Sequence, residues 1–206
     1  RDKIEFKDVS FQTEGQTLNV SGWLNQDPYI AFSFNNFNID SFNPFFKNDQ
    51  FSFNGILDGD VFFNASSFPI ISGNFEVDNL ICNNKLLGKL TLKNYSNTSN
   101  DSIYTRGFIE NKLNLMNFLL KYPLDGTKKI HAHIHFNEFP LEVIDTLLDP
   151  IQNLNGDIYG DIELRGPIND YEIVGKTEVK RVNFEIPYLG IDYSGKNNSL
   201  FINFEN

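Results

Sequence analysis

Apolar and polar residues alternate along most of this chain with a period of two, the mark of half-buried β-strands. Ile4 to Phe11 and Thr17 to Leu24 alternate in this way and are parted by the turn-like Thr13-Glu14-Gly15-Gln16, which predicts a hairpin. Tyr29 to Phe37 is a third strand, with Phe32 and Phe34 on one face and Ser33 and Asn35 on the other. Further strands are predicted over Phe51 to Phe63, Ile70 to Ile81, Lys85 to Lys93, Ser102 to Ile109 and Ile130 to Asn137. The pattern resumes over Leu154 to Leu164, Tyr171 to Asn183, Glu185 to Ser194 and Ser199 to Phe204.

Two stretches change period. Ile39, Phe42, Phe45 and Phe46 recur at helical spacing, with Pro44 tolerable only near a first turn, which predicts a short helix near 41–48. Leu141, Ile144, Leu147, Leu148 and Ile151 form a second apolar stripe, ended by Asp149-Pro150, which predicts a helix near 141–149. A third stretch, Asn111 to Lys128, contains "LNLMNFLL" and reads as a helical turn or an apolar lid.

The strands and helices recur in one register, which makes residues 32–94 and 134–194 two copies of a unit of about 102 residues. Phe34 and Phe37 stand 102 positions before Phe136 and Phe139; Gly55 and Gly59 stand 101 before Gly156 and Gly160. Gly73, Val77, Leu87 and Gly88 stand 102 before Gly175, Val179, Leu189 and Gly190. The unit reads as five strands and one short helix. An odd number of antiparallel strands ends on the far side of the sheet, so the helix is expected to cross back and let the next unit extend the same sheet. The Asn111 to Lys128 stretch is the one large departure, eighteen residues against the four of the Asn25 to Pro28 turn of the first copy.

Strand by strand, one face is apolar and the other wet. Gly156, Ile158, Gly160, Ile162 and Leu164 share a face opposite Asp157, Tyr159, Asp161 and Glu163. Glycines on the apolar face leave room for strong curvature or for a close approach to the backbone. Such a sheet must fold into a sandwich, close into a barrel, or bend into a trough around an apolar guest. Few other strands remain to cover it.

Charge narrows the partners. With 27 acidic and 17 basic residues among 206, the net charge is −10, and no Lys/Arg cluster is present to neutralise phosphates. A nucleic-acid partner is therefore not expected, and anionic membrane surfaces are disfavoured for the same reason. Phe supplies 21 residues while Cys, Met and Trp appear once each, so the interior is aromatic and almost free of sulfur. Cys82 alone allows no internal disulfide. No apolar run is long enough to span a bilayer and no signal peptide is evident at the N-terminus. The chain begins at Arg1 in strand-like sequence, as expected of a segment of a longer protein.

Candidate chemistry is sparse. His131, His133 and His135 alternate on one strand, a pattern that can hold a metal, but they lie opposite Ile134 and Phe136 and the chain has no further His. They read as a solvated face. Asp58-Gly59-Asp60 and Asp157 to Asp161 sit in strands instead of the tight turn a calcium loop requires. Cys82 has no local His, no Gly-x-Ser-x-Gly elbow occurs, and no Gly-rich loop opens a helix, so no enzyme, cofactor or metal is expected.

The run Leu154 to Ser194, "LNGDIYGDIELRGPINDYEIVGKTEVKRVNFEIPYLGIDYS", resembles the C-terminal region of the TamB family of bacterial envelope proteins. It has a Gly-x-x-x-Gly strand, a Gly166-Pro167 turn, a Gly-centred strand and a Phe-x-Ile-Pro-Tyr-Leu run in the same order. The first copy departs from this pattern, with Ser66-Ser67-Phe68-Pro69 at the turn. The unit is also similar to the repeating β-groove of the AsmA-like and bridge-like lipid transfer superfamily. The resemblance covers roughly Phe32 to Phe204. It implies an all-β fold, a long curved antiparallel sheet forming a taco-like trough with an apolar inner face. It further implies a periplasmic segment of a parent protein anchored in the inner membrane and reaching the outer membrane. Its groove would carry phospholipid or other acyl-chain lipid, or assist outer-membrane protein assembly with an outer-membrane barrel partner of the TamA type.

On that reading the groove lining in the first copy is Phe32, Phe34, Leu57, Val61, Phe63, Phe75, Val77, Leu90 and Leu92. In the second it is Ile134, Phe136, Ile158, Ile162, Leu164, Val179, Ile191 and Tyr193. The alternative is a structural β-solenoid or adhesin-type scaffold with a closed, dry core and no lipid cargo.

Overall fold

The structure is a computed structural model that describes residues 4–24, 28–45, 51–65, 69–97, 102–112, 114–124, 129–147, 151–167, 170–195 and 199–204. The chain is all-β. In order the strands are β1 (Ile4–Thr13), β2 (Gln16–Leu24), β3 (Tyr29–Asn38), β4 (Phe53–Ala65), β5 (Pro69–Cys82), β6 (Lys85–Asn97) and β7 (Ser102–Glu110). They continue with β8 (Asn114–Pro123), β9 (Lys129–Pro140), β10 (Gln152–Pro167), β11 (Glu172–Ile186), β12 (Ile191–Ser194) and β13 (Ser199–Phe204). Among the described residues three 3-10 helices interrupt them: η1 (Ile39–Phe45), η2 (Leu141–Leu147) and η3 (Pro187–Leu189).

All thirteen strands form one open antiparallel sheet in which β1 to β12 are neighbours in chain order and β13 pairs with β11. Because every neighbour is antiparallel, the odd-numbered strands β1 to β11 run toward one end. That end carries the Glu14-Gly15 turn, η1, the Asn83-Asn84 turn, η2 and η3. Asn83 and Asn84 both sit at positive φ, 48° and 65°, as the tightest hairpin turns require.

Three expectations are corrected. Asn111 to Lys128 is neither a helical turn nor a lid: Asn114–Pro123 is β8, paired on both sides. Met116, Phe118 and Leu120 face inward, Leu119 lies on the other face, and Leu115, at an irregularity in the β7–β8 register, is buried in the core, so apolar residues on both faces hide the period. With β8 counted, six strands separate η1 from η2 instead of five. The helices therefore join antiparallel neighbours, β3 to β4 and β9 to β10, and need not restore a direction. They are seven-residue 3-10 turns, Ile39–Phe45 and Leu141–Leu147, and the ends expected at 46–48 and 148–149 lie outside the described residues. Finally, Glu185 to Ser194 is not one strand. Pro187 cannot continue the ladder, so η3 turns the chain and β12 and β13 share the edge of β11.

Five of the strands running toward the helical end break alternation near it. In β1, β3, β5, β9 and β11 one extra residue is inserted, marked by Asp8, Asn36, Asn79, Glu138 and Arg181 at φ 48° to 59°. Such bulges bend the strand and increase its twist. They also change the spacing of residues on one face from two to three. Phe34/Phe37, Val77/Leu80, Phe136/Phe139 and Val179/Val182 each flank one of them. Positions 36 and 138, and positions 79 and 181, are 102 apart, so the two stretches of repeated sequence bulge at the same places.

Four of these bulges face glycine on the next strand, those of β1 and β5 through Gly22 opposite Phe6 and Gly88 opposite Leu80. Gly59 opposes Phe34 and Gly160 opposes Phe136, at φ 146° and 119°. A Cβ on Gly160 would lie 2.3 Å from the Lys176 carbonyl oxygen, and one on Gly59 would lie 2.2 Å from that of Asn74. Both strands close on backbone that leaves no room for a side chain.

The buried side chains form two clusters. The larger gathers Leu57, Val77, Leu80, Leu87, Ile109 and Phe139 with Val143 of η2. The smaller gathers Leu141, Leu154, Val179 and Val182.

Candidate functional site

The 3-10 helices are tied to the sheet by side chains acting for backbone. Asn43 of η1 donates to the Phe53 carbonyl at 2.8 Å and accepts from the Phe53 N–H at 2.9 Å, holding η1 against the start of β4. Asp145 of η2 accepts from the Leu154 N–H at 2.9 Å. Asn83 in the β5–β6 turn donates to the Val143 carbonyl of η2 at 2.9 Å and accepts from the Ser52 N–H at 2.9 Å. Lys85 pairs with Glu142 at 2.8 Å.

These bonds have a geometric consequence. In the sheet, β6 and β9 are three steps apart, about 14 Å at normal strand spacing. A seven-residue 3-10 helix is about 14 Å long. Leaving β9, η2 meets the Asn83 turn already at its second and third residues, Glu142 and Val143, so it does not need its full length to reach β6.

Beneath η1 and η2 lies a cavity of about 790 Å³, lined by side chains from β3 to β9 and from both helices. Every lining side chain is Phe, Leu, Ile, Val, Met or Cys, and none is charged. Aromatic edges shape one wall: Phe34 meets Phe37 at 5.4 Å and Phe42 of η1 at 6.2 Å between ring centroids. Phe136 and Phe139 sit at 5.5 Å across the equivalent bulge. On the other side the Phe118 ring lies over Gly107, where a Cβ would come within 2.2 Å of it. Cys82 also lines the cavity, and burial pushes its thiol up to about 11.

Of the residues expected to line a groove, Phe32, Phe34, Leu57, Val61, Phe75, Val77, Leu90, Leu92 and Phe136 line this cavity. Phe63 and Ile134 share the faces of Val61 and Phe136 but lie outside it. Ile158 packs against both buried clusters, Val179 belongs to the smaller one, and Tyr193 stacks on Phe184 at 5.1 Å beside it. Ile162 and Leu164 are half-buried on β10, away from the cavity. Ile191 is 44% exposed, because η3 has turned the chain onto the short edge strand β12.

Sequence reasoning missed a second set of lining residues. Leu80, Cys82 and Phe139 lie beyond bulges, where strict alternation assigns them to the wrong face. Ile39, Phe42, Val143 and Ile144 come from the helices, and Met116 and Phe118 from β8. The spacing of three in Phe34/Phe37 and Phe136/Phe139, repeated in register, is the signal that marks the bulges.

The opposite face mixes exposed apolar residues such as Phe62 and Phe108 with polar ones. His131, His133 and His135 project there and meet carboxylates of β10: His131 with Glu163 at 3.4 Å, and His133 and His135 with Asp161 at 3.4 and 3.0 Å. Arg165 also bonds Glu163, and together with His131 it holds that carboxyl below its ordinary range. Among the described residues no group of three or more His, Cys, Asp or Glu is arranged to hold a metal ion.

Compared with known proteins, the chain matches no family model, no curated protein and no solved structure.

Proposed function

We propose that this chain is a non-enzymatic carrier of acyl chains, holding lipid in the apolar cavity of a curved sheet. The observation that carries the reading is the cavity itself. Some 790 Å³ of space without a charged lining side chain, under a pair of short helices, is suited to hydrocarbon. A water molecule there would find no polar partners.

The similarity of Leu154 to Ser194 to the TamB family supports a wider role: a periplasmic bridge segment, its parent anchored in the inner membrane, passing phospholipid toward the outer membrane. On this reading the apolar inner face continues past the cavity along β10 and β11 as a trough, through Ile158, Ile162 and Leu164. An outer-membrane barrel of the TamA type is the partner to expect.

Native mass spectrometry of delipidated protein mixed with phospholipid tests the carrier reading. A discrete adduct of lipid mass is expected, lost when Val77 and Leu90 are both replaced by Asp in a chain that still gives a β-sheet circular dichroism spectrum. Absence of any adduct on the intact protein overturns it.

A further inference from the structure

The cavity has two unlike ends. At the helical end sit its most buried side chains, among them Leu87, Cys82, Val77, Leu80 and Val143, each 5% exposed or less. At the other end the lining stops at Leu92 on β6 and at Phe118 on β8, while on β3 and β4 it runs one step further, to Phe32 and Val61. The next inner-face residue of β6 after Leu92 is Asn94, because β6 pairs with β7 in unbroken register and Asn94 stands opposite Thr105. Thr105 Oγ1 donates to Asn94 Oδ1 at 2.6 Å. One more step along β6, the Ser96 hydroxyl is committed to the Ile71 backbone, at 2.9 Å to its N–H and 3.2 Å to its carbonyl. The nearest charged side chains on these strands, Lys93 and Arg106, stand opposite each other on the other face.

An apolar cavity ending in an uncharged polar pair is complementary to an amphiphile. Building on the carrier reading, we propose that the cavity takes a single acyl chain methyl end first, and that Asn94 and Thr105 hydrogen-bond the ester or hydroxyl oxygens at its head. The methyl end lies under η1 and η2. The amide hydrogens of Asn94 donate to an ester carbonyl, while the Thr105 hydroxyl can accept from a glycerol hydroxyl. With no charge on this face of β6 and β7, a phosphate or carboxylate gains nothing there, so the ligand class is set by chain and linkage rather than by headgroup charge.

The geometry also fixes a chain length. From Asn94 to Leu87 is seven residues of strand, roughly 24 Å. An extended chain advances about 1.3 Å per methylene, from a C–C bond of about 1.5 Å. The cavity therefore holds about eighteen carbons.

Binding of a graded series of uncharged monoacylglycerols, alongside hexadecane as a headless probe, tests the proposal on the full chain. Affinity for monoacylglycerol should rise about fourfold per added methylene, then level off near eighteen carbons. Asn94→Leu with Thr105→Val should weaken monoacylglycerol about tenfold and leave hexadecane unchanged, while Thr105→Ser should keep most of the affinity. If the double variant binds both probes as the parent does, or if affinity climbs past twenty carbons without levelling, the orientation is wrong while the carrier reading stands. If neither probe binds the parent protein, the carrier reading falls and this proposal with it.

Discussion

Glu138 and Arg181 occupy the bulges of β9 and β11, both at positive φ, and pair at 3.1 Å across the intervening strand β10. Arg181 also pairs with Asp157 of β10, so one guanidinium ties three strands at the point where two of them bend. At the positions 102 residues earlier stand Asn36 and Asn79, also at positive φ. The bend is common to both places; the ion pair is found at the second.

Asn is among the few residues that enter the left-handed region cheaply, and a β-branched side chain is not. Asn79→Val should therefore cost about 1–2 kcal/mol in urea denaturation, and Asn79→Gly should leave stability within error of the parent. Equal losses for the two variants would show that the Asn79 side chain, rather than its backbone angle, matters.

The glycines opposite the bulges should be as intolerant. Gly160→Ala places a Cβ against the Lys176 carbonyl at a φ of 119°, and at least about 2 kcal/mol should be lost. Gly59→Ala should behave alike, since its Cβ meets the Asn74 carbonyl. A neutral outcome at both would mean that β4 and β10 can move away from their neighbours.

How much of this was legible beforehand follows from where the period of two holds. The hairpin at Glu14-Gly15, the Asn83-Asn84 turn and the strands β4 and β10 are written in alternation and turn residues, and the sheet keeps them. Bulges were not legible strand by strand, because an inserted residue such as Asn79 looks like an ordinary polar position until its neighbours Val77 and Leu80 are known to share a face. The β8 strand was hidden by apolar residues on both of its faces. The contact between the Asn83 turn and η2 rests on the bond from Asn83 to Val143, sixty residues apart, which no local pattern reports.

Cys82 provides a probe of the cavity floor. Thiolate is the reactive form, so with a thiol near 11 a polar disulfide reagent should react very slowly at pH 8 and faster as pH rises toward 11. The folded pKa lies above the ordinary value of 9.0, so this group's stabilisation is complete below about pH 9 and lost as pH climbs through about 11. The loss amounts to on the order of 2–3 kcal/mol. Cys82→Ala should flatten that alkaline limb; an unchanged limb would assign it to other groups.

On the face opposite the cavity, the carboxyl of Glu163 is depressed first by its bond to Arg165 and then by its bond to His131. A depressed carboxylate stabilises the fold above its unfolded pKa and loses that contribution as pH falls through the folded value. Thermal melts should thus decline in acid less steeply for Glu163→Gln than for the parent protein. Parallel acid limbs would show that the Arg165 and His131 contacts do not persist in solution.

The central claim is that one face of this sheet receives lipid, and Val61 and Phe62 are adjacent residues of β4 on its two faces. Val61 lines the cavity, whereas Phe62 is 41% exposed on the other side. Photo-crosslinking amino acids placed singly at these two positions, irradiated with phospholipid vesicles and read by mass spectrometry, should give lipid adducts at position 61 and none above background at position 62. Equal capture at both positions, or none at position 61, would contradict the account.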